Sequence, residues 1–261
     1  MKFYVVENQK LVIGWSPKCA CTAICDWLVH GVIKPASFTG TSRIYLEKNG
    51  YLASPKKATA LILEHGFKSI FFTRDPASRI VSAFINKFIV RSGKALRTPD
   101  RFENFATMLI DDLYKLNNYT GDYKGISFLE FITYIDHTLL EKQKHLNAHW
   151  SPQVEGLSEE LKQRIQAGKC FMVKQESFQH DLKNVNFALG FDYLPPHLNV
   201  SDWPRLWKAL PPNRNCSAIE NKLLIRRKLK LSKSNFLTDT TKPMIARIYH
   251  DDYQVFSYPE K

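Results

Sequence analysis

The chain has 261 residues, of which 44% are hydrophobic and 24% charged, so it is long enough to bury a full core and is neither a disordered nor a low-complexity protein. Its formal net charge of +12 favours anionic partners such as nucleic acid, an acidic polymer or a phosphorylated cofactor. The five cysteines are an odd number, and three of them crowd together, which is typical of reduced thiols rather than of a disulfide framework.

The amino-terminal part predicts a β-hairpin followed by a helix. Apart from Lys10, residues 3–6 and 10–15 are apolar, many of them β-branched or aromatic, and a short polar stretch separates the two runs. A helix is predicted from about Thr22 to Val32. The first fifteen residues do not have the pattern of a signal peptide, and no later segment has the length of a membrane span.

The next elements predict a parallel sheet with helices on its faces. Ser54 is a suitable cap for a helix that has Pro55 at its first position and ends at Gly66. The apolar run "KSIFFTRD" then predicts a buried strand, and "PASRIVSAFINKFIVRSG" predicts the helix after it. This alternation of strands and helices is typical of an α/β fold.

The remaining chain continues the alternation. Residues 94–147 are predicted to be largely helical, with a capping box formed by Ser127 and Glu130. "KCFMVKQ" predicts a third core strand between two helices, and residues 193–215 are predicted to be irregular. A basic helix and an aromatic helix are predicted near the carboxyl end. We expect a single domain over residues 1–261.

The stretch "SPKCACTA" lies where the second strand ends and the first helix begins. Backbone amides in the first turn of a helix attract anions, and the helix dipole favours negative charge there. Lys18 adds a full positive charge and Thr22 a hydroxyl. The loop is not a Walker A loop, because the lysine precedes the turn and there is no glycine. Small residues in its middle allow a ligand to approach closely.

Two other interpretations of this stretch stay open. The small residues can simply permit a tight turn beneath the sheet. A metal site would need Cys19, Cys21 and Cys25, with His30 as a fourth ligand, but this spacing lacks the separated pairs that are typical of zinc sites. We therefore expect no metal.

A second strand end carries Arg74, and the helix after it carries Ser82. A planar guanidinium and a hydroxyl on adjoining elements can converge on one phosphate. A solvated helix face explains the two residues about as well. Arg79 on the same helix is expected to form a structural ion pair.

Both junctions resemble motifs of sulfotransferases. "SPKCACTA" after a strand resembles the lysine-containing loop that holds the 5′-phosphosulfate of PAPS (3′-phosphoadenosine 5′-phosphosulfate). "FFTRDPASRIVSAFINKF" is similar to the second motif, which holds the 3′-phosphate and places a serine eight positions after the arginine, as Ser82 follows Arg74.

The greatest similarity is to carbohydrate O-sulfotransferases of the chondroitin and dermatan type (sulfotransferase family 2). A helix with an early proline precedes the arginine strand in that group, and three further motifs follow in the order seen here: "NAHWSPQ", "MVKQESFQHD" and "IYHDDYQVFSYP". The resemblance implies a P-loop NTPase-like α/β sulfotransferase fold with a central, mostly parallel sheet flanked by helices.

The resemblance also implies the site residues. Lys18 would neutralise the leaving oxygens, without a metal, in an in-line transfer from PAPS that leaves PAP as product. The residues implied to bind the cofactor are Pro17, Lys18, Cys19, Ala20, Cys21, Thr22, Ala23, Arg74 and Ser82. The implied acceptor is a carbohydrate hydroxyl, which needs a general base. We select His149 in "NAHWSPQ", with His65 and His145 as alternatives, and expect Trp150 to stack on a sugar ring.

The chain departs from the family at two points. Ala23 and Ile24 stand where a tryptophan usually lies, so the resemblance assigns no contact to the adenine. Glu176 matches a family position without an assigned role. Animal members are anchored in the Golgi lumen, whereas this sequence shows no anchor, and we expect a bacterial cytoplasmic enzyme.

Three alternatives stay open on the sequence. A P-loop-type kinase is a different enzyme on a related fold. A non-catalytic nucleic-acid-binding protein would use the basic run of residues 222–233, although no known reading module is present. A non-catalytic glycan-binding relative is the third. A solvated helix face is the simplest interpretation of the basic run.

Overall fold

The computed structural model describes residues 1–96, 98–141, 146–196 and 203–260. The strands in this part of the chain are β1 (Lys2–Val6), β2 (Leu11–Trp15), β3 (Leu52–Ala53), β4 (Lys68–Thr73), β5 (Val90–Arg91), β6 (Lys94–Ala95), β7 (Phe171–Lys174), β8 (Lys208–Ala209) and β9 (Leu229–Lys230). The helices are α1 (Cys21–Trp27), α2 (Ser42–Lys48), α3 (Pro55–Leu63), α4 (Pro76–Phe84), α5 (Asn104–Leu116), α6 (Phe128–Glu141), α7 (Glu159–Gln166), α8 (Phe178–Leu189), α9 (Asn221–Arg226), α10 (Thr241–Ile248) and α11 (His250–Val255).

Residue contacts divide the chain into two compact units. Unit 1 comprises Met1–Asp75, Ser151–Val200 and Asp251–Pro259. Unit 2 comprises Pro76–Trp150, Ser201–His250 and Glu260–Lys261.

Unit 1 is built on a five-stranded sheet in the order β3-β1-β2-β4-β7. β1 runs antiparallel to β2 and β3, whereas β4 is parallel to both β2 and β7, so four of the five strands point the same way. The hairpin and the third core strand predicted from the sequence are both confirmed. The carboxyl ends of β2, β4 and β7 consequently lie side by side at one edge of the sheet.

Side chains that alternate between the two faces of the strands build the core of unit 1. Tyr4, Ile13 and Phe72 belong to one buried cluster with residues of α1 and α8, while α3 packs against β1 and β2. Gly14 is required for close packing in β2, because a Cβ there would lie 2.6 Å from the ring of Phe71 on the neighbouring strand. The α/β fold with flanking helices is confirmed.

The predicted caps of α3 and α7 are present in unit 1. The Ser54 hydroxyl accepts a hydrogen bond from the Lys57 amide, and Pro55 is the first residue of α3. Ser158 caps α7 in the same way, by accepting from the Leu161 amide. Each cap satisfies an amide that would otherwise lack a partner at the start of its helix.

Unit 2 is mainly helical and has an aromatic core. The rings of five phenylalanines contact one another within it: Phe84, Phe88, Phe128, Phe131 and Phe236. The predicted capping box at the start of α6 is formed, because the Glu130 carboxylate accepts from the Ser127 amide and the Ser127 hydroxyl accepts from the Glu130 amide.

The helix that begins at Pro76 ends earlier than the sequence predicts. α4 continues through a π-helical turn, Ile85–Ile89, and the chain then forms the short hairpin of β5 and β6 instead of remaining helical to Gly93. Ser92 and Gly93 both have positive φ, 48° and 72°, as a two-residue type I′ turn requires.

Both helices predicted near the carboxyl end are also shorter than expected. α9 stops at Arg226, Lys228 takes the left-handed conformation with φ of 53°, and β9 follows. The aromatic helix is broken at Tyr249 into α10 and α11. No helix in the described ranges is long and apolar enough to cross a membrane.

Candidate active site

The candidate site in unit 1 lies where β2 and β4 end. The loop of residues 16–20 follows β2 and leads into α1, which begins at Cys21, one residue before the predicted start. Arg74 directly follows β4. Because β2 and β4 are parallel neighbours, the two predicted anion-binding stretches meet at the same edge of the sheet.

The loop has an unusual backbone. Lys18 and Ala20 both take the left-handed conformation, with φ of 74° and 62°, and the Cys19 amide donates to the Ser16 carbonyl. This conformation costs a residue with a side chain about 1 kcal/mol. Such outliers concentrate where a loop shapes a binding site, so the geometry supports a dedicated function for this turn.

Arg74 contacts the loop directly. Its guanidinium Nη1 donates a hydrogen bond to the Lys18 carbonyl at 3.1 Å. Two residues that the sequence assigns to the same cofactor, 56 positions apart, are thereby held together.

Gln153, from the "NAHWSPQ" stretch, ties the loop to Arg74 a second time. Its Nε2 donates to the Arg74 carbonyl at 2.9 Å, and its Oε1 accepts from the Arg74 amide at 3.0 Å. The same Oε1 accepts from the Cys19 thiol at 3.1 Å. Gln153 is 0% exposed, so each of these bonds satisfies a group that water does not reach.

Asp252, from the acidic pair in "IYHDDYQVFSYP", orients this glutamine. One carboxylate oxygen accepts from the Gln153 amide at 2.8 Å and from its Nε2 at 3.3 Å. The other oxygen accepts from the Val154 amide at 2.9 Å. Both stretches belong to motifs of the resemblance, which gave Gln153 and Asp252 no role; their place in those motifs was the only available signal.

Glu176 is a third residue with a role that the sequence did not assign. Its Oε1 accepts from the Asp75 amide at 3.1 Å, and its Oε2 accepts from the Tyr258 hydroxyl at 3.3 Å. Burial, followed by the Glu176 charge, raises the pKa of the Tyr258 hydroxyl well above its usual range, so the phenol keeps its proton. Tyr258 also lies 3.0 Å from the Thr73 hydroxyl at the end of β4.

The cysteines of the loop have structural contacts. Cys21 Sγ donates to the Ser16 carbonyl at 3.6 Å, and Cys25 Sγ lies 3.6 Å from the Tyr4 hydroxyl. Burial raises the pKa of the Cys25 thiol, which keeps it protonated. In the ranges that the structure describes, no group of three or more His, Cys, Asp or Glu side chains could hold a metal ion.

The other residues in and next to the loop differ in their solvent exposure. Pro17 and Ala23 are buried, Ala20 is half-buried, and the Thr22 side chain is exposed in the first turn of α1. The two tryptophans nearest the loop in sequence do not replace the missing family tryptophan, because Trp15 and Trp27 are only 3% and 0% exposed.

The remaining predicted residues of the second motif lie in unit 2. Ser82 is half-buried on α4, one helical turn after Ser78, whose hydroxyl accepts from Lys233 Nζ at 2.7 Å. Arg79 is 1% exposed, and its Nη2 donates to the Ala148 carbonyl at 2.9 Å. This contact is with a main-chain carbonyl, so the ion pair expected for Arg79 stays a prediction.

His149, also in unit 2, has a defined orientation. Its ring stacks on Phe105 with centroids 5.0 Å apart, and its Nδ1 lies 2.7 Å from Asn147 Oδ1. Because that oxygen only accepts hydrogen bonds, Nδ1 carries the proton in the neutral ring and Nε2 carries the lone pair.

The positions of Trp150 and His65 do not fit the roles that the sequence suggested for them. Trp150 is 2% exposed and packs on Phe88 and Phe131, so the prediction that it stacks on a sugar ring is wrong. His65 is exposed and precedes the amino end of β4, at the edge of the sheet opposite Lys18. His145 lies outside the described residues.

Comparison with known proteins gives one family. A sequence model described as "Sulfotransferase family" matches residues 1–259. No curated protein and no solved structure matches the chain.

Proposed function

Because the chain belongs to the sulfotransferase family and is a sulfotransferase enzyme, we propose that it transfers the sulfuryl group of PAPS to a hydroxyl of a carbohydrate acceptor. The observation that carries this proposal is the hydrogen bond from Arg74 to the Lys18 carbonyl. It holds the Arg74 guanidinium against the loop that carries Lys18, beside the start of α1.

The loop suits the phosphosulfate end of PAPS, which supplies the activated sulfuryl group. Lys18 offers a mobile positive charge for the oxygens on which negative charge builds, and positioned charge is the main catalytic contribution in such transfers. The residues that we assign to this end of the cofactor are Pro17, Lys18, Cys19, Ala20, Cys21, Thr22 and Ala23. The first turn of α1 offers the backbone amides of Cys21, Thr22 and Ala23 and the exposed Thr22 hydroxyl, and no metal is required.

We assign the 3′-phosphate to Arg74 and Ser82. The fixed main chain of Arg74 supports this role, because Gln153 holds its amide and its carbonyl at the same time. Calorimetry with PAP and with adenosine 5′-phosphate, which lacks the 3′-phosphate, tests it. PAP should bind at least about a hundredfold more tightly, and Arg74→Ala should remove most of that difference. Equal affinities in the wild type would refute the assignment.

We assign the general base to His149. The contact between Nδ1 and Asn147 supports it, since it orients the ring and favours the neutral tautomer with the proton on Nδ1, the form that can accept a proton at Nε2. His149→Ala should lower kcat about a hundredfold or more while PAP affinity stays unchanged. His65→Ala is the matched control and should retain full activity.

Transfer of radiolabelled sulfate from PAPS to a panel of oligosaccharides tests the reaction itself. Label in a sugar ester supports the proposal. Label that appears only in a non-carbohydrate hydroxyl compound would keep the sulfotransferase and refute the acceptor class. Phosphate transfer from ATP with magnesium would favour the kinase alternative instead.

We further propose a single catalytic domain in a bacterial cytoplasmic enzyme. The family match supports the first point, because it extends over segments of both units. The five cysteines support the second, since all of them are thiols in the structure, as a reducing compartment favours.

A further inference from the structure

The positive charge of the chain is concentrated near its carboxyl end. Residues 203–233 contain nine lysines and arginines and a single acidic residue, Glu220, which gives this stretch a net charge of +8 out of the +12 of the chain. Six of the nine basic residues lie in the stretch from Lys222 to Lys233. We call residues 222–233 the basic segment. A surface with this excess of positive charge attracts anionic partners.

An exposed apolar turn precedes the basic segment in the chain. The Trp207 amide donates a hydrogen bond to the Pro204 carbonyl at 2.9 Å, so Leu206 lies at the tip of a turn. Leu206 is 81% exposed. Trp203 and Trp207 flank the turn, and their half-buried rings have centroids 5.5 Å apart. We call residues 203–207 the tryptophan loop.

Two backbone hydrogen bonds hold the end of the tryptophan loop beside the basic segment. The Lys208 amide donates to the Lys228 carbonyl at 2.9 Å, and the Leu210 amide donates to the Lys230 carbonyl at 3.0 Å. These bonds join β8 to β9, in which Lys208 lies opposite Leu229. All of these residues belong to unit 2. The exposed apolar turn and the lysines are therefore neighbours on the surface of that unit.

Internal pairing does not account for the positive charge of this surface. Four exposed cations in or beside the loop form no ion pair with any residue that the structure describes: Arg205, Lys208, Lys228 and Lys230. Like charges that are close together and unpaired repel one another and do not stabilise the fold. Attraction of an external anionic partner accounts for this arrangement, whereas folding does not.

An anionic lipid surface matches both parts of this region. Trp and Leu side chains enter the boundary between lipid headgroups and acyl chains, and Lys and Arg side chains contact the anionic headgroups. Single-stranded nucleic acid matches less well, because bases stack on aromatic rings and would leave the exposed Leu206 without an apolar partner. A second copy of the chain also matches less well, because two surfaces that each carry a charge of +8 repel each other.

We propose that the tryptophan loop and the basic segment bind the surface of a membrane that contains anionic phospholipids. Leu206 and the indole rings of Trp203 and Trp207 enter the layer between headgroups and acyl chains, and the lysines beside them lie on the headgroups. The contact is peripheral, since it uses one loop and exposed side chains. It does not depend on the sulfuryl transfer proposed above, and its test needs neither PAPS nor an acceptor.

Tryptophan fluorescence tests the proposal on the wild-type protein. The chain has five tryptophans, and the three outside the loop are at most 3% exposed: Trp15, Trp27 and Trp150. Phosphatidylcholine vesicles with about 30% phosphatidylglycerol and brominated acyl chains should therefore quench only the loop tryptophans. Trp203→Phe/Trp207→Phe should abolish this quenching, while the variant still sediments with the vesicles because phenylalanine keeps an apolar ring at both positions.

Vesicle sedimentation tests the role of charge. At about 0.1 M salt, Lys208→Ala/Lys230→Ala should weaken binding to the anionic vesicles at least about tenfold. Lys48→Ala/Lys56→Ala is the matched control, because it removes the same charge from exposed positions of unit 1. The control should weaken binding less than about twofold.

The same assay tests the apolar contact. Leu206→Ala should weaken binding to the anionic vesicles about threefold or more, because a smaller apolar side chain enters the lipid. Leu140 on α6 is 73% exposed and provides a matched control within unit 2. Leu140→Ala should leave the affinity unchanged.

Four results would overturn the proposal. The first is no binding of the wild type to the anionic vesicles, and the second is equal affinity for vesicles of pure phosphatidylcholine. The third is binding without quenching of the loop tryptophans, which would place the contact elsewhere on the protein. The fourth is equal affinity for a single-stranded oligonucleotide together with no effect of Leu206→Ala, which would mean that this surface attracts any polyanion.

Discussion

Two regions of this protein use positive charge in opposite ways. At the end of β4, the Arg74 main chain is held by a fully buried amide, and the Arg74 guanidinium donates to the Lys18 carbonyl. In the basic segment, six lysines and arginines lie exposed within twelve positions. The first region fixes the Arg74 guanidinium and the main chain that carries Lys18, whereas the second accumulates charge at the surface.

The difference predicts different sensitivities. Where the position of a charged residue matters, a single substitution should greatly lower activity or stability. Added salt should change this loss little, because buried hydrogen bonds are weakly screened. Where accumulated charge matters, single substitutions should be mild and salt should remove their effect.

The largest effect is expected at Lys18. Lys18→Ala should lower kcat for sulfuryl transfer about a thousandfold, because no other group replaces its charge on the leaving oxygens. Steady-state kinetics with saturating PAPS measures it. Lys48→Ala, an exposed lysine of α2, is the control and should leave kcat unchanged. Similar kcat values for both variants would exclude Lys18 from the chemistry.

Gln153 should have the largest effect on stability. Gln153→Ala leaves the Arg74 amide and carbonyl, the Cys19 thiol and one Asp252 oxygen without this partner in a buried site. Unfolding in urea should show a loss of about 3 kcal/mol, since each buried unsatisfied group costs about 1–3 kcal/mol.

An exposed glutamine of α7 provides the control for this measurement. Gln163→Ala should change the free energy of unfolding by less than about 0.5 kcal/mol. A loss at Gln153 no larger than this would show that the hydrogen bonds around Arg74 are not what holds the loop. A weaker PAP affinity in Gln153→Ala, compared at a temperature where both proteins are folded, would link the glutamine to binding.

Tyr258 should make stability depend on alkaline pH. Its raised pKa means that the unfolded chain loses the phenol proton near pH 10 while the folded chain keeps it. The unfolded state then binds fewer protons, so this contribution to stability is complete below pH 10 and is lost as the pH rises further.

Tyr258→Phe provides the test. The variant should be about 1 kcal/mol less stable than the wild type at pH 8, because the hydrogen bonds to Glu176 and Thr73 are lost. The gap should narrow between pH 9 and about 11. A constant gap over this range would mean that Tyr258 has an ordinary pKa.

Ala20 should show that the loop is strained. The φ of Ala20 is 62°, and glycine tolerates a positive φ. Ala20→Gly should therefore raise the free energy of unfolding by up to about 1 kcal/mol. Ala167→Gly, at the end of α7, has a negative φ and is the control; it should gain nothing. A loss of stability in Ala20→Gly would contradict a strained, left-handed Ala20 in the loop.

The smallest effect is expected in the basic segment. Arg226→Ala/Lys228→Ala removes two exposed cations, and the relief of repulsion should raise stability by a few tenths of a kcal/mol at low salt. The gain should vanish in 1 M salt, where screening extends over only about 3 Å. A loss of stability at either salt concentration would show that these residues hold the fold together.

The sequence predicted the local elements well because their signals are local. The Ser54 cap with Pro55, the capping box at Ser127 and the alternation in the first hairpin each depend on a few neighbouring residues. The prediction that the helix continues beyond Ile89 was wrong. Ser92 and Gly93 form a turn, but the helical pattern of the neighbouring residues outweighed this local turn signal.

The site was only partly predictable. Lys18 and Arg74 could be identified because each lies beside a strand end that resembles a known motif. Gln153 and Asp252 could not be assigned, because their bonds to Arg74 and Val154 join residues that are far apart in sequence. Trp150 was misassigned because burial depends on the packing of unit 2, to which distant segments contribute.

Thermal unfolding with PAP tests the central claim most directly. If the loop and Arg74 form a PAPS site, PAP should raise the melting temperature of the wild type by about 5 °C when it is present at about a hundred times its Kd. Adenosine 5′-phosphate at the same concentration should give a smaller shift. No shift of the wild type at millimolar PAP would contradict the assignment of this site to PAPS.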